Sequence, residues 1–441
     1  MSRLEIAALV LGAHLVATAP PASAAGGKPT KKYAADVAVA WFDLLYDVTK
    51  VESNSPVAAS RNFGIAGVAL YEAVAPGMAD HLSLVGQVND LASVPQPEAN
   101  KSYNWEVVAH AALGRVLETR FATGSAGSRL AIRVMKAQLG RRVSEKVNAA
   151  VLERSTDHGI AVADAILAWA ATDGIATYNN CPFVPPIGPG LWVPTPPAFN
   201  PNPLQPCWGQ LRPFVLASGA DCAPPPPTPF STDSASQFYA EANEVYTTQN
   251  GLSPEQLTIA QYWADGPGST GTPPGHWISL VGQLLAAEGE NLAFAAEAYA
   301  RVGIVVGDAF IACWNTKYVY NLLRPVTYIQ ANIPGAASWV SVIGTPAFPE
   351  YTSGHSVQSG AAATVLTDLF GAIPFADNTH GIHNPELNLA PRSFNSFVDA
   401  ADEAAISRLY GGIHFRPAIE DGVAQGVCIA QTHLASLQFL Q

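Results

Sequence analysis

The 441-residue chain is 49% hydrophobic and only 13% charged, so it can bury a large core. Its 35 acidic residues outnumber its 23 basic residues, and the resulting net charge of −12 argues against nucleic acid and acidic membrane surfaces as partners. Because basic residues are scarce, any local group of Lys and Arg is informative.

The first residues have the pattern of a secretory signal peptide. Arg3 precedes an apolar stretch from Ile6 to Ala19, and small residues suited to cleavage follow, up to Ala24 or Ala25. We therefore expect residues 1–25 to be a signal peptide and the protein to be exported, either to the periplasm or out of the cell. A frayed N-terminal helix of a cytosolic protein is the alternative. No later stretch is a convincing spanning helix of about 20 apolar residues, so we expect no membrane-spanning segment.

Helical periodicity dominates the rest of the chain. Apolar residues recur at three- and four-residue spacing, which is typical of amphipathic helices. This pattern predicts helices over residues 33–51, 58–74, 103–121, 130–152, 158–172, 234–248, 253–265, 276–287, 291–323, 353–370, 394–409 and 418–437. The predicted fold class is all-α, with an N-terminal helical bundle over 33–176 and a C-terminal bundle over 231–441.

Residues 177–230 differ in composition from both bundles. Fifteen of the 35 prolines fall between positions 177 and 228, so this stretch can be neither a packed helix nor a central strand. We predict an irregular connection, part of which lies over the active site as a rim. Three of the five cysteines also lie here, and Cys207 with Cys222 is the simplest pairing in an exported protein, although sequence alone leaves the pairing open.

The first of three segments whose residues could bind an anion or carry out chemistry contains Lys317 and Arg324. They stand seven residues apart in a predicted helix, nearly two turns, so both side chains should project from one face. Pro325 follows and is expected to mark the helix end. The neighbouring residues are apolar, and a buried cation needs an anionic partner. A solvated basic face is the alternative.

The second segment is Ser353-Gly354-His355, at the start of an Ala-rich helix. Backbone N–H groups at a helix N-terminus form an oxyanion site, and His355 is placed for acid–base work. An ordinary serine N-cap followed by a helix-face histidine is the alternative.

The third segment runs from Ser407 to His414. Arg408 is followed by a glycine pair that permits a tight turn, and His414 comes just after that turn, so both side chains could reach one anion. The alternative is an exposed arginine and an ordinary turn histidine.

Together the segments resemble a known signature: Lys, six residues, Arg-Pro; Ser-Gly-His; and Ser-Arg, five residues, His. It is shared by the vanadium-dependent haloperoxidases, the type 2 phosphatidic acid phosphatases and the bacterial class A acid phosphatases. Residues 262–266 and 273–277 add a likeness to the bacterial haloperoxidase-like branch. The resemblance covers most of the chain after residue 33 and places the anion site in the C-terminal bundle.

The resemblance to the haloperoxidases implies vanadate as cofactor. In that scheme Lys317, Arg324 and Arg408 neutralise its equatorial oxygens, and Ser353 and the Gly354 N–H donate hydrogen bonds to it. His414 would bind vanadium at an axial position, and His355 would act as acid and base on the opposite side.

The reaction implied is the oxidation of a halide by hydrogen peroxide to hypohalous acid, with a small organic acceptor as further partner. The residues expected to surround vanadate are called the cradle below; they are Lys317, Arg324, Ser353, Gly354, His355, Arg408 and His414. Asp265 is expected to brace one of the cradle arginines, with Arg408 as the candidate. Trp314 and Phe348 fall where chloride-oxidising members have apolar halide-pocket residues, which tilts against a bromide-type pocket without fixing the halide.

The main alternative is a soluble acid phosphatase with His414 as nucleophile and His355 as proton donor. The same cradle would serve because trigonal-bipyramidal vanadate resembles a phosphoryl-transfer transition state. The phosphatases typically carry an Asp four residues after the last His, where this chain has Ala418. We take the missing carboxylate to favour His414 as a metal ligand. A non-catalytic anion binder is a third possibility, and His380 with His383 is a weak candidate for half of a metal site.

Overall fold

The computed structural model describes residues 27–441, so the predicted signal peptide lies outside the described residues. The described chain is mostly helical, as predicted. The helices before the Pro-rich connection are α1 (Asp36–Val51), α2 (Pro56–Val74), α3 (Trp105–Arg120), α4 (Ala126–Ser144), α5 (Ala149–Ala170) and the single turn α6 (Ile175–Tyr178). Short 3-10 turns lie at Thr30–Lys32, Ala75–Gly77, Trp208–Gln210 and Pro385–Leu387.

The second group of helices carries the three segments of the signature. It comprises α7 (Gln237–Asn250), α8 (Pro254–Tyr262), α9 (Thr272–Glu288), α10 (Leu292–Tyr320), α11 (Pro325–Asn332), α12 (Gly354–Phe370), α13 (Thr379–His383), α14 (Phe397–Tyr410) and α15 (Arg416–Ser436). A two-stranded antiparallel sheet pairs β1 (Phe375–Asp377) with β2 (Arg392–Phe394), which the sequence analysis did not predict. None of the described helices is long and apolar enough to cross a membrane.

Several predicted helix boundaries were wrong by three or more residues, and two of these errors changed how the elements connect. The helix predicted over 130–152 ends at Ser144, and α5 begins at Ala149 with Asn148 as N-cap, its side chain accepting the N–H of Ala150. The helix predicted to reach residue 323 ends at Tyr320, because Asn321 adopts a left-handed conformation with φ of 48°. Pro325 therefore begins α11 instead of ending α10.

One hydrophobic core runs through both groups of helices. Helix α10 packs along α2, where Gly67 leaves no room for a side chain: a Cβ there would lie 2.5 Å from the Tyr299 carbonyl oxygen. A smaller cluster lies under the segments that follow α10 and precede α12 and α15, and it includes Phe238, Tyr328 and Phe415. The signature segments lie where elements of the two clusters meet.

The Pro-rich connection over 177–230 contains the last two residues of α6 and the 3-10 turn at Trp208–Gln210, and this turn packs against α10. Asp308 of α10 accepts the N–H groups of three successive connection residues, Phe214, Val215 and Leu216. Nearer the site, the carbonyl oxygen of Leu204 accepts the Tyr318 hydroxyl at 2.5 Å. These bonds hold the irregular chain against the helix that carries Lys317.

The proposed pairing of Cys207 with Cys222 was wrong. Cys207 is bonded to Cys181 within the connection, and Cys222 is bonded to Cys428 of α15. Cys313 is free and buried in α10. The partner of Cys222 lies 206 positions away in the sequence, so local spacing carried no information about it.

Candidate active site

The N-terminus of α12 forms the floor of the site. Ser353 is the N-cap, and its hydroxyl accepts the N–H of Ser356 at 3.3 Å. Gly422 of α15 makes this close packing possible, since a Cβ there would lie 2.8 Å from the Cβ of Ser356. The first N–H groups of an α-helix have no partner within the helix, so Gly354 and His355 begin an anion-attracting terminus.

Lys317 and Arg324 both hold the segment that leads into this floor. The three ammonium protons of Lys317 point at the carbonyl oxygens of Pro349 (3.0 Å), Glu350 (2.8 Å) and Thr352 (2.5 Å). Arg324 donates from Nε to the carbonyl oxygen of Phe348 at 2.9 Å. The predicted shared helix face was wrong, because Arg324 lies beyond the end of α10. Their common attachment to residues 348–352 brings the two cations together instead.

His414 is held by a carboxylate that the sequence analysis missed. Oε1 of Glu350 lies 2.8 Å from Nδ1 of His414 and accepts the N–H of Phe415 at 2.9 Å. Because Oε1 is an acceptor, the imidazole proton is assigned to Nδ1, and Nε2 presents its lone pair on the other side. Nη1 of Arg324 lies 3.2 Å from that Nε2.

The hydrogen bond between Glu350 and His414 shows that the inference drawn from Ala418 was wrong. The residue four positions after His414 has no carboxylate, but its carbonyl oxygen accepts the N–H of Ser353 at 2.9 Å. A carboxylate from the preceding segment, Glu350, braces His414 instead. The lack of an acid at position 418 therefore does not separate a metal-ligand role from a nucleophilic role.

Arg408 contacts the other histidine of the signature. Its Nη1 lies 2.8 Å from Nε2 of His355. Burial lowers the pKa of His355 well below its usual value, and the positive charge of Arg408 lowers it further. His355 is therefore neutral in this arrangement and able to accept a proton.

The cradle contains more buried positive charge than its own carboxylates balance. Burial lowers the pKa of Lys317 to about 7, of Arg324 to about 10 and of Arg408 to about 9. Burial likewise raises the pKa of Glu350 to about 7, although Arg324 and Lys317 act in the opposite direction. An added anion would offset the cost of burying these cations.

Hydrogen-bond donors without partners also indicate that the cradle is suited to an anion. Nη2 of Arg324 and both Nε and Nη2 of Arg408 are buried without a hydrogen-bond partner among the described residues. Buried guanidinium N–H groups normally find an acceptor, so an oxyanion with several oxygens fits this cradle. Lys317 differs from the two arginines, because its ammonium protons are already directed at backbone carbonyl oxygens. It contributes positive charge to the cradle and anchors the segment 349–352.

Beside the cradle lies a buried group of acids around His276. Its Nδ1 is 2.9 Å from Oδ2 of Asp265, and its Nε2 is 2.7 Å from Oδ2 of Asp377. Burial alone would lower the pKa of His276, but the two carboxylates outweigh it and raise that pKa to about 10. Burial raises the pKa of Asp265, and the charge and hydrogen bond of His276 outweigh it, lowering that pKa to about 2.

Asp265 was expected to brace a cradle arginine, with Arg408 as the candidate, but no hydrogen bond joins these two residues in the described part of the chain. Asp265 bonds to His276, and its negative charge acts on Arg408 only through space, where it offsets part of the lowering of the guanidinium pKa by burial. The sequence analysis took His276 for the start of a helix. It is the fifth residue of α9, and it is also fully buried between two acids.

Asp265, His276 and His380 lie close enough together to suggest a metal site. The ring nitrogens of His276 are both bonded to carboxylates, and those of His380 contact the Tyr262 carbonyl oxygen (2.7 Å) and Asn384 (3.2 Å). His383 contacts Asp47 instead, with Nδ1 3.0 Å from Oδ1. This arrangement is a hydrogen-bonded ionic cluster, and it does not support the weak expectation of a metal site at His380 and His383.

The cradle opens into a cavity of about 740 Å³. Asp265, His355, Arg408 and His414 line it together with Trp314 and Phe348, whose ring centroids are 4.9 Å apart. The two aromatic residues suggested as a halide pocket thus lie beside the cradle.

Comparisons with known proteins agree with this geometry. The sequence profile of the VCPO second helical-bundle domain matches residues 297–441. A solved bacterial vanadium-dependent iodoperoxidase is 37% identical, with a TM-score of 0.85, and the match covers 93% of this chain and 98% of that one.

Two more distant structures share the fold. The holo-type bacterial vanadium-dependent chloroperoxidase is 16% identical, with a TM-score of 0.66, over 86% of this chain and 91% of that one. The apo-type structure is 15% identical with the same TM-score, over 87% and 94%. None of the curated proteins matches the chain in sequence.

Proposed function

Because this chain belongs to the vanadium-dependent haloperoxidase family, we propose that the cradle around His414 holds vanadate and that the enzyme oxidises a halide with hydrogen peroxide to hypohalous acid. The observation that carries this proposal is the set of buried guanidinium N–H groups on Arg324 and Arg408 that have no partner among the described residues. Nη1 of Arg324 lies 3.2 Å from Nε2 of His414, and Arg408 lines the same cavity as His414 and Gly354 at the N-terminus of α12.

Arg324, Arg408 and His414 would hold vanadate here, and the bound group would supply a Lewis acid for the activation of peroxide toward a halide ion. The side chains of this chain hold the anion and move the proton. His414 offers Nε2 as the ligand atom, since Glu350 keeps the proton on Nδ1. Arg324, Arg408 and the N–H of Gly354 donate to anion oxygens, and Ser353 offers its hydroxyl to the same anion.

His355 is the proposed acid and base. Its low pKa makes it neutral before peroxide enters, so a ring nitrogen can accept the proton that peroxide releases. Negative charge held beside His355 would raise its pKa from this low value toward neutrality, where the ring can both accept and release a proton. The Arg408 contact fixes the ring in place for both transfers.

Lys317 is proposed to act chiefly through charge. Its bonds to Pro349, Glu350 and Thr352 fix the carbonyl groups of the segment that carries both Glu350 and Ser353. Its ammonium group also lies 5.2 Å from the ring centroid of Phe348. The cation therefore adds positive potential at the cradle while it fixes the shape of the floor.

Iodide is the first halide to test, because the relative that is 37% identical is an iodoperoxidase. The chloroperoxidases are too distant to carry an argument beyond the fold. Trp314 and Phe348 provide an apolar wall beside the cradle, and such a wall favours a large, weakly hydrated halide ion.

Export is proposed as well. Two disulfides link Cys181 to Cys207 and Cys222 to Cys428, and such bonds persist in oxidising compartments. The signal-like pattern at residues 1–25 supports the same proposal.

One paired assay tests the function. Purified protein is given hydrogen peroxide with iodide, or with bromide and a dione, with and without vanadate, and its hydrolysis of a phosphate ester is measured in parallel. Halide oxidation that requires vanadate is expected. Halogenation that ignores vanadate would contradict the proposal, as would fast phosphate release inhibited by vanadate, which would indicate a phosphatase with His414 as nucleophile.

A further inference from the structure

The cavity above the cradle is much larger than the proposed inorganic reactants require. Its volume is about 740 Å³. A water molecule occupies about 30 Å³ in the liquid, and peroxide or a halide ion is of that order. Cavities that hold organic ligands typically measure about 300–1,000 Å³. The excess volume therefore suggests an organic molecule in addition to the anion.

The wall of this cavity is assembled from distant parts of the chain. Pro56 at the start of α2, Leu204 of the Pro-rich connection and Leu389 after α13 all contribute. Leu204 is anchored through its backbone, since its N–H donates to the carbonyl oxygen of Ala347 at 2.8 Å and its carbonyl accepts the Tyr318 hydroxyl. The connection thus closes one side of a shaped compartment.

The chemistry of the lining favours a neutral, ring-bearing occupant. Among the described lining residues other than histidines, only Asp265 and Arg408 carry a formal charge, and both lie near His355. Beside the cradle, Phe310, Trp314 and Phe348 form an aromatic wall, with adjacent ring centroids 5.5 and 4.9 Å apart. Aromatic side chains pack well against aromatic ligands by offset or edge-to-face contact.

We propose that this cavity binds a neutral, electron-rich aromatic molecule as the acceptor of the oxidised halogen, so that halogenation occurs within the protein. The inference rests on the proposed function, because it requires the cradle to generate hypohalous acid. It goes further by assigning the class of acceptor and its place against the wall of Phe310, Trp314 and Phe348.

The reaction balances with the reactants already named. A ring carbon of the acceptor attacks the halogen of hypohalous acid, a carbon–halogen bond forms, and the oxygen–halogen bond breaks with its electron pair left on oxygen. The same carbon loses its proton, which combines with the hydroxide to give water. The ring is oxidised by two electrons, and the halogen, formally +1 in hypohalous acid, is reduced to −1.

A competition experiment tests the assignment. The vanadate-loaded enzyme is given peroxide, bromide and an equimolar mixture of 2-naphthol and 4-hydroxybenzenesulfonate, and the ratio of brominated products is compared with that from reagent hypobromous acid. Enrichment of brominated naphthol by about five- to thirtyfold is expected, as one or two kcal/mol of selective binding would give. An unchanged ratio would overturn the inference, since the oxidant would then be reacting in bulk solution.

Variants locate the binding site. Leu204→Gln and Leu389→Gln place a polar group of similar size in the wall and should return the product ratio toward that of the reagent. Leu130→Gln, at a leucine that is 54% exposed on α4, is the matched control and should keep the enrichment. Equal behaviour of all three variants would place the acceptor elsewhere and overturn the inference.

Binding without turnover separates this inference from the function itself. Calorimetric titration of 2-naphthol into the vanadate-loaded enzyme, with no peroxide present, should give saturable binding that Leu204→Gln weakens. Absence of halide oxidation in the paired assay would refute the proposed function. Halide oxidation with no naphthol binding and no enrichment would refute only the acceptor site.

Discussion

Glu350 and His414 are joined by a hydrogen bond of 2.8 Å between Oε1 and Nδ1, although 64 positions separate them in the chain. The same carboxylate oxygen accepts the N–H of Phe415, so it fixes both the histidine ring and the backbone that follows. Partners of this kind orient a metal-ligating histidine and fix its tautomer.

Removal of this carboxylate should weaken vanadate binding. Glu350→Ala leaves Nδ1 of His414 without its acceptor, so we expect vanadate affinity to fall by about 10- to 100-fold. Glu350→Gln keeps an acceptor oxygen and should fall less. Calorimetric titration with vanadate measures both, with Glu288→Ala at an exposed position of α9 as the control. Unchanged affinity in Glu350→Ala would show that the bond does not position the ligand.

Arg408 should be needed for its unpaired N–H groups and not only for its charge. Arg408→Lys keeps the positive charge but loses Nε and Nη2, neither of which has a partner among the described residues. A hydrogen bond to a charged group contributes about 1.5–3 kcal/mol, so vanadate affinity should fall by at least roughly tenfold.

The exposed Arg133→Lys variant serves as the control for that substitution. Affinity equal to that of the parent in Arg408→Lys would mean that the guanidinium does not contact the anion.

The His276 cluster should make stability depend on pH in a defined direction. The folded-state pKa of about 10 exceeds the usual 6.5, so the folded protein binds more protons between these values. The stabilisation is therefore complete below about pH 6.5 and is lost as the pH rises through about 10. His276→Gln leaves two buried carboxylates without their cation, which should cost about 3–5 kcal/mol near pH 6.

Thermal or urea unfolding of parent and His276→Gln across this pH range measures the difference. The gap between the two proteins should narrow as the pH rises toward 10. Other buried groups, such as Glu350 and Lys317, are common to both proteins, so their titration largely cancels in the comparison. A gap that stays constant with pH would show that His276 is not held in its charged form.

Much of the fold and of the cradle could be predicted from the sequence because both depend on local patterns. Helical periodicity gave the all-α class, and the resemblance of three short segments to a known signature singled out the candidate site residues Lys317, Arg324, Ser353, Gly354, His355, Arg408 and His414. The stated reason for grouping Lys317 with Arg324 was nevertheless wrong. A left-handed Asn321 ends α10 between them, and their shared hold on residues 348–352 brings them together.

The remaining features depend on contacts between distant segments. Glu350 meets His414, His276 meets Asp377, and Cys222 meets Cys428 only once the helices have packed. No periodicity in the sequence marks such pairs. The one local sign was a glutamate between Pro349 and Tyr351, just ahead of the Ser-Gly-His motif, where an acid must be either exposed or partnered.

The disulfide pairing can be checked by peptide mapping under non-reducing conditions. Linked peptides Cys181–Cys207 and Cys222–Cys428 are expected, and a Cys207–Cys222 peptide would contradict the structure. Removal of the second bond should destabilise more than removal of the first, by about 2 kcal/mol in a chain-entropy treatment, because it closes a loop of 206 residues against 26. Chemical denaturation of the two double Cys→Ser variants measures this difference.

The central claim is that His414 binds the vanadate and His355 transfers the proton. The most direct measurement is the vanadium content of the parent, His414→Ala and His355→Ala after dialysis against vanadate, with iodide oxidation measured on the same samples. The parent and His355→Ala should retain vanadium in proportion to protein, and His355→Ala should lose about 10²- to 10⁴-fold in turnover. His414→Ala should retain none. Vanadium retained by His414→Ala at the level of the parent would contradict the account.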